Sequence, residues 1–516
     1  MEGCRPQHPV VIVGGGPVGL TIAAGLSRHG VAAVVLQASS SVSFGSRAIC
    51  ISRRSLEIWE RFGVAAQALA KGLAWSRGRS FWHRHQVLEF EMDATAGQKH
   101  PPMINLQQCF MEQYLVDALK QRDNVDLRWE SRVTGAETGD HGVTLTVETP
   151  AGPYQLRADY VVAADGARSF MRQALAMRME GNSYEGRYLI ADIQLESTGA
   201  LERRAWFDPP SNPGSTVLAH WQPENILRID YQLRPEEKDE QETEECRVRA
   251  RIDAHLEMLG EQKEYQLLCF SVYRALCLTL PSYYRGRVFF AGDAAHLVPI
   301  FGVRGLNSGI DDAANLVWKL ALAVRSRATE RLLDSYSHER VFAAHENIRQ
   351  ARKSTLFMTP PSRGYEVMRE AALSLAVSNE FARALANPRQ TTAITFPSSS
   401  LQTPDTTEWS GGTAIGATIP NLPVGNVHLL DLFGLAPVAL IREGNLEAET
   451  RLGAIGNEIQ VVALREENAA ACLRALALDA PGSGYLVRPD GHVAARWQEF
   501  SAEHFAAALR RSLGLS

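Results

Sequence analysis

Apolar positions along the chain follow two rhythms, and the change between them outlines the fold. Val10 to Val13 is a short unbroken apolar run, glycines follow at once, and an apolar helix extends through Leu26. Gly30 ends that helix, and Val31 to Leu36 is a second continuous run. Short unbroken runs separated by a helix predict parallel strands covered on both faces, the opening of a doubly wound α/β fold. Tyr160 to Ala164 and Arg287 to Ala291 read as two more such strands. Between them, roughly Met177 to Ser282, the pattern turns to alternation, as in Leu227 to Leu233, with an acidic helical stretch from Pro235 to Leu259. Alternation of that kind predicts an inserted antiparallel sheet.

From Gly309 to Gln350 the pattern is helical, and Asp311 and Asp312 near its start suit the positive end of a helix dipole. Phe396 to Gly412 is rich in Ser, Thr, Pro and Gly and predicts a boundary. Beyond it lie strands at Val438 to Ile441, Ile459 to Leu464 and Tyr485 to Val487, a Pro489-Asp490-Gly491 turn and a closing helix. These suffice for a small α/β domain. No internal repeat is visible.

Composition narrows the class. At 516 residues the chain exceeds one compact core. A formal charge of −5 offers no basic footprint, so nucleic acid is not an expected partner. No stretch approaches the ~20 apolar residues of a membrane span, and a cytoplasmic location is expected. The seven cysteines (Cys4, Cys50, Cys109, Cys246, Cys269, Cys277 and Cys472) form no C-x-x-C and no Cys/His cluster. Reduced thiols and no metal site are the expectation.

Candidate chemistry gathers where the predicted strands end. Gly14-Gly15-Gly16-Pro17-Val18-Gly19 is a G-x-G-x-x-G between a strand and its helix. Gly14 permits the tight turn, Gly16 lets backbone approach a pyrophosphate, and Gly19 lets the helix pack on the strand. The helix N-terminus then offers free N–H groups to phosphates, and dinucleotide binding is predicted. Gln37 stands at the end of the second strand, where a carboxylate usually holds the ribose; an amide supplies an acceptor and a donor without charge. A solvated strand end is the alternative for Gln37. Ala164-Asp165-Gly166-Ala167-Arg168-Ser169, with Arg172 beyond, is a second motif that reads on its own as a turn. The third, Phe290-Ala291-Gly292-Asp293-Ala294-Ala295-His296, continues through Pro299, Gly302, Gly305, Asn307 and Asp312. A strand ending in a carboxylate, then a glycine-rich loop and a helix N-terminus, can take a ribityl hydroxyl and face the electron-rich edge of a reduced isoalloxazine.

In this order and spacing the three motifs resemble those of flavin-dependent aromatic hydroxylases of the p-hydroxybenzoate hydroxylase type, the class A flavoprotein monooxygenases. The chain is most similar to the phenol, 3-(3-hydroxyphenyl)propionate and polyketide hydroxylase branch, which carries a C-terminal thioredoxin-like extension. The resemblance implies an α/β fold: a Rossmann-like FAD-binding domain, an inserted β-sheet substrate domain and a C-terminal thioredoxin-like domain. The implied divisions are 1–176 for the first FAD-binding part (with substrate-domain segments near 75–108) and 177–282 for the substrate sheet. The second FAD-binding part and helical region follow at 283–395, a linker at 396–412, and the thioredoxin-like domain at 413–516.

Carried over by position, Gly14, Gly16, Pro17, Val18, Gly19, Gln37, Asp165 and Asp293 bind FAD. Arg47 sits near the flavin, Gln108 contacts it, and Gly305, Leu306 and Asn307 run along its pyrimidine edge. Pro299 matches a proline whose carbonyl lies beside the substrate. His220, Arg228, Tyr231 and Tyr273, on predicted strands of the domain that roofs the substrate, are candidates for easing deprotonation of a phenol, and His83 and His85 are similar candidates. Each is otherwise an ordinary core or surface residue. His296 reads as part of the cofactor shell. Arg304 departs from the neutral residue usual in the family; it either adds a positive charge near the flavin or is a surface arginine on a loop. The Tyr485 to Gly491 segment resembles the last hairpin of the extension, where Cys472 alone cannot support thiol redox chemistry, so a structural or oligomeric role is expected.

The implied cofactors are FAD and a transient NADPH or NADH. The implied partners are a small aromatic substrate and O2, with a homodimer left open. In such enzymes NAD(P)H reduces FAD, O2 adds as a C4a-hydroperoxide, and one oxygen passes to an activated ring. A Baeyer–Villiger or epoxidising relative, or a non-enzymatic flavin-binding redox sensor, are the alternatives. A flavin halogenase would show a W-x-W-x-I-P segment that this chain lacks.

Overall fold

The computed structural model describes residues 7–45, 47–92, 97–196, 201–261, 264–299, 301–387 and 390–515. Cys4 and Ser46 lie outside the described residues. The first sheet has a parallel core in the order Val288–Phe290, Tyr154–Ala163, Gln7–Val13, Ala33–Leu36, Val125–Arg128. Val10, Val11, Ile12, Val161, Val162 and Phe289 are wholly buried, which is why these runs carry no polar alternation. An antiparallel hairpin, Arg132–Gly139 with Gly142–Glu148, continues from Tyr154–Ala163. Helices Pro17–Arg28 and Arg304–Val324 cross one face of this core, packed against each other.

The second sheet is mostly antiparallel, in the order His296–Leu297, Gln266–Thr279, Glu180–Gln194, Ile226–Leu233, Thr216–Gln222, Arg203–Phe207, Arg77–Trp82, His85–Glu91. Strand Ile226–Leu233 is buried along its whole length, so both of its faces are covered. Leu227, Ile229, Tyr231 and Leu233 join Val248, Ile252 and Leu256 of helix Glu245–Leu259 in one apolar cluster. The other face turns towards the first sheet.

The last sheet runs Gln460–Leu464, Val438–Arg442, Gly484–Val487, Val493–Trp497, with helices between the first three strands in sequence and after the fourth. Its β-α-β-α-β-β-α order, with one parallel and two antiparallel pairings, is thioredoxin-like. Cys472 is buried and its thiol is pushed up to about 12 by burial, so it does not ionise near neutrality.

A network of buried charge docks this domain. Arg488 forms a two-pronged ion pair with Glu339 and another with Asp490, while Asn315 donates to Asp490 at 3.1 Å and Lys319 pairs with Glu339 at 2.9 Å. The Ser/Thr/Pro-rich segment before the domain is also anchored: Phe396 packs on the His492 ring and Leu401 on Trp318 and Leu332. Among the described residues no helix is long and apolar enough to cross a membrane.

Candidate functional site: a flavin cleft under a charged sheet face

Glycine geometry builds the first wall. Gly14 has φ +107°, and a Cβ there would meet the Ala164 carbonyl oxygen at 2.3 Å. A Cβ on Gly19 would meet the Gly14 carbonyl at 2.0 Å, whereas nothing lies within 4 Å of one placed on Gly16. Two glycines thus close the strand–loop–helix junction, and the third leaves open the space a pyrophosphate would take. Pro17 begins the helix, and Val18 reaches across to Gly292 and Gly309, joining the first and third motifs. The Gln37 amide oxygen accepts from the Gly15 N–H at 2.7 Å and its amide nitrogen donates to Ser39 at 2.7 Å. Gln37 therefore braces the glycine loop, with one lone pair and one proton left for a ribose diol.

Asp165 Oδ2 accepts from the Met171 N–H at 3.0 Å in the first turn of the next short helix, whose cap is Ser169; Oδ1 is buried without a hydrogen-bond partner. Asp293 lies in the turn Gly292–Ala294 and combines solvent access with dense protein surroundings, the environment of a group at the bottom of a cleft. Burial raises its pKa, against the opposing pull of His296 and Arg47. Asp312 holds this turn from below: its carboxylate accepts from the Gly292 N–H at 2.9 Å, His296 Nε2 at 2.7 Å and Arg340 Nε at 2.6 Å. His296 is thereby fixed beneath the turn.

The opposite wall is the loop carrying Arg47. Gln108 accepts from the Ala48 N–H at 3.2 Å and donates to Glu112 at 2.8 Å, and Glu112 accepts from the Ser43 N–H at 2.6 Å. The Arg47 side chain is exposed, and its carbonyl accepts from Arg228 Nη1 at 2.6 Å. Between the walls comes the start of helix Arg304–Val324, where Val303 adopts φ +53°, a strained conformation for a β-branched residue. Gly305 and Leu306 present backbone there. The Asn307 side chain is saturated by protein, accepting from Ser52 N and Ser55 Oγ and donating to the Cys50 and Val303 carbonyls, so only its backbone can face a cofactor. Arg304 is no surface arginine: it is buried, hydrogen-bonded to Asn347 and the Gln390 carbonyl, and brought down to about 10 by burial.

The second sheet roofs the cleft with a charged face. His220, Arg228, Asp192 and Cys269 stand abreast on neighbouring strands. Arg228 pairs with Asp230 at 2.9 Å. His220 is buried with Nδ1 unpartnered; burial, then Arg203 and Arg228, hold it neutral by depressing its pKa far below the usual imidazole range. Pro299 is buried beside Val298, whose carbonyl lies 3.5 Å from the Tyr273 hydroxyl, at the outer limit of hydrogen bonding. Burial and then Asp293 raise the Tyr273 phenol.

Tyr231 points the other way. Its hydroxyl donates to the Arg251 carbonyl at 3.2 Å within the cluster against helix Glu245–Leu259, because it stands an odd number of residues along the strand from Arg228 and therefore on the opposite face. His83 and His85 sit at an exposed hairpin end near Asp208. Sequence reasoning missed Asp192, Asp230 and Arg203, and it had Asp312 only as a motif member and a helix-dipole residue, not as the support of the Gly292–Ala294 turn. The polar alternation Arg228, Asp230, Gln232 inside an apolar strand was a legible signal for the second of these; nothing local marked Arg203.

The arrangement fits FAD: an open pyrophosphate position at Gly16, an orphaned Asp165 oxygen beside it and a solvent-open carboxylate at Asp293 lie along one cleft. Comparison with known proteins agrees. The FAD binding domain family matches residues 7–351, and the aromatic-ring hydroxylase C-terminal family matches residues 412–515. The chain belongs to the family defined by this FAD-binding domain, and its last domain is of the aromatic-ring hydroxylase C-terminal type.

A 3-(3-hydroxy-phenyl)propionate/3-hydroxycinnamic acid hydroxylase of Mycobacterium avium (strain 104) is 30% identical over 341 residues, 64% of this chain and 58% of that protein. The chain thus spans less than two thirds of the length of this curated relative. The flavin-dependent monooxygenase PieE, solved with FAD and substrate, superposes with a TM-score of 0.84 at 23% identity, covering 99% of this chain and 100% of that one. Aklavinone-11 hydroxylase, solved with FAD and aklavinone, gives 0.80 at 22% identity, covering 99% and 100%. These likenesses establish the fold along nearly the whole chain.

Proposed function

We propose that this protein is an FAD-dependent monooxygenase that uses NAD(P)H and O2 to hydroxylate a phenolic or related aromatic substrate. The observation that most supports this reading is the hydrogen bond from Arg228 to the Arg47 carbonyl, which ties a buried, arginine-bearing sheet face to the loop along the flavin cleft. Bound FAD supplies the hydride acceptor and the site of oxygen activation. The chain's own residues do the rest. Gly14 to Gly19 would cradle the pyrophosphate of bound FAD, Asp293 would take a ribityl hydroxyl, and the Gly305–Leu306 backbone would lie along the ring edge.

The enclosed roof keeps water from the reacting centre and limits the orientations a ring can take. A free phenol ionises near ~10. Buried guanidinium groups at Arg228 and Arg203 favour the phenolate, the electron-rich form that oxygen transfer needs. Because His220 resists protonation, its role is to hydrogen-bond the ring oxygen, not to store the proton. Pro299 and Tyr273 border the same space, and Tyr231 leaves the catalytic set.

The test is NADPH and NADH consumption by the FAD-loaded protein in air across simple phenols, phenolic acids and polycyclic phenols, with product masses. The expected result is ring-stimulated oxidation and a product heavier by one oxygen. Firmly bound FAD with no stimulation by any ring compound would refute the proposal.

A further inference from the structure

Towards one edge of the roof sheet, Trp82 and Phe207 end two neighbouring strands and pair in register. Helix Arg363–Ser378 closes over these strand ends, and a cavity of about 160 Å³ lies between sheet and helix. It shares no lining residue with the flavin cleft, and its size suits a six-membered ring.

The cavity wall divides by chemistry. Trp82, Phe207 and Leu373 make an apolar side, and Asp208, Glu366, Glu370, Arg363 and Arg369 make a polar one. Arg363 pairs with Glu366 at 3.0 Å and with Glu370 at 3.7 Å. Arg369 is placed differently. It is only 7 % exposed, its Nη1 donates to the Met358 carbonyl at 3.3 Å, and its Nε is buried without a hydrogen-bond partner. Glu366, Asp208 and Glu370 act on it electrostatically, yet among the described residues no carboxylate lies within ion-pair distance of it. A guanidinium so far from water is costly until acceptors reach it.

The charges narrow the ligand. Three carboxylates against two guanidiniums disfavour an anion, while a cation would meet Arg369 at the buried end. A neutral ligand that accepts from Arg369 and donates to Asp208 and Glu370 satisfies both signs, and hydroxyl groups do this because each is donor and acceptor. Asp208 is fixed for that task by the Gly214 N–H, which donates to its Oδ1 at 2.6 Å. The Trp82 indole offers a broad apolar face to the C–H side of a saturated ring.

We propose that this cavity binds a neutral polyhydroxylated six-membered ring, a pyranose. Trp82 takes its C–H face, Arg369 donates to a hydroxyl or the ring oxygen, and Asp208 and Glu370 accept from other hydroxyls. The claim concerns binding and holds whether or not the monooxygenase reading does. A free sugar and a glycosyl group carried by the aromatic substrate present the same ring.

The experiment is isothermal titration, backed by saturation-transfer NMR, of the FAD-loaded protein without NAD(P)H. The probes are the methyl pyranosides of glucose, galactose, mannose, rhamnose and xylose, with glucuronate and glucosamine as charged counterparts. At least one neutral pyranoside should bind with a Kd of about 1 mM or below, and more tightly than either charged sugar. Trp82→Leu, Glu370→Gln and Arg369→Gln should each weaken it by about tenfold with FAD content unchanged. Glu370 is half-exposed, so its variant keeps the test available should Arg369→Gln fail to fold. No neutral pyranoside binding below about 20 mM overturns the site, as does a wild-type preference for glucuronate or glucosamine over every neutral sugar. Affinity that survives both Trp82→Leu and Glu370→Gln also overturns it. The 2-naphthyl glycoside of the sugar that binds separates the two sources. A gain of about tenfold over the methyl glycoside, with a shifted flavin absorption band, assigns the ring to the substrate. Equal affinity with an unchanged flavin spectrum assigns it to a free sugar.

Discussion

Asp312→Asn tests the support beneath the flavin turn. The Asp312 carboxylate is fully buried and accepts three hydrogen bonds, from Gly292 N, His296 Nε2 and Arg340 Nε. Despite burial, which opposes ionisation, His296, Arg340 and these donors bring its pKa down from 3.8 to about 2. A folded-state pKa of about 2 against 3.8 in the unfolded chain corresponds to roughly 2–3 kcal/mol of folded-state preference for the ionised form. Asparagine removes the charge and leaves the buried Arg340 guanidinium without its carboxylate, an effect of about 3–5 kcal/mol that outweighs the ~1 kcal/mol of an ordinary neutral hydrogen bond.

Because the folded pKa lies below the unfolded one, this contribution is present above about pH 4 and is lost as pH falls towards 2. Guanidinium unfolding followed by tryptophan fluorescence, repeated from pH 7 to pH 3, should therefore show the wild type well above the variant at neutrality and the gap narrowing in acid. FAD affinity, read by flavin fluorescence, should drop at least tenfold, since the Gly292 N–H bond holds the turn that carries Asp293. A gap that stays constant with pH, or unchanged FAD affinity, would refute this account.

Other perturbations separate the parts. Gly14→Ala places a Cβ 2.3 Å from the Ala164 carbonyl at a left-handed φ, so the purified variant should retain little FAD by its absorbance spectrum. Glu339→Gln removes the negative charge and one of the two acceptor oxygens shared by Arg488, Lys319 and Asn315. It should cost about 3–5 kcal/mol and expose the segment around 396–412 to limited proteolysis, whereas a wild-type digestion pattern would count against the docking role. Tyr231→Phe loses one hydrogen bond on the far face of the roof. Stability should fall by about 1 kcal/mol with turnover within twofold of wild type, and a tenfold loss of kcat would return Tyr231 to the catalytic set.

Much of the cofactor half was legible in the chain itself. Buried parallel strands are continuous apolar runs because both faces are covered, and the turn at Gly14 admits no Cβ, so strand, loop and helix could be placed from local pattern alone. Asp293 followed in the same way, as a carboxylate ending one of those runs. Gln37 was legible as a departure, while its bracing of Gly15 was not. The substrate half needed the assembled molecule. A strand repeats every two residues, so the pattern of Ile226 to Leu233 separates two sets of side chains without saying which one looks into the cleft. Helix Glu245–Leu259, packed on one side, decided that Tyr231 faces away and Arg228 faces the flavin loop. The same holds for charge: Arg203 meets Gln390 across 187 positions and Arg488 meets Glu339 across 149. Local periodicity follows from backbone geometry and is written in neighbouring residues, whereas the partner of a buried charge is set by which distant segments share one desolvated space.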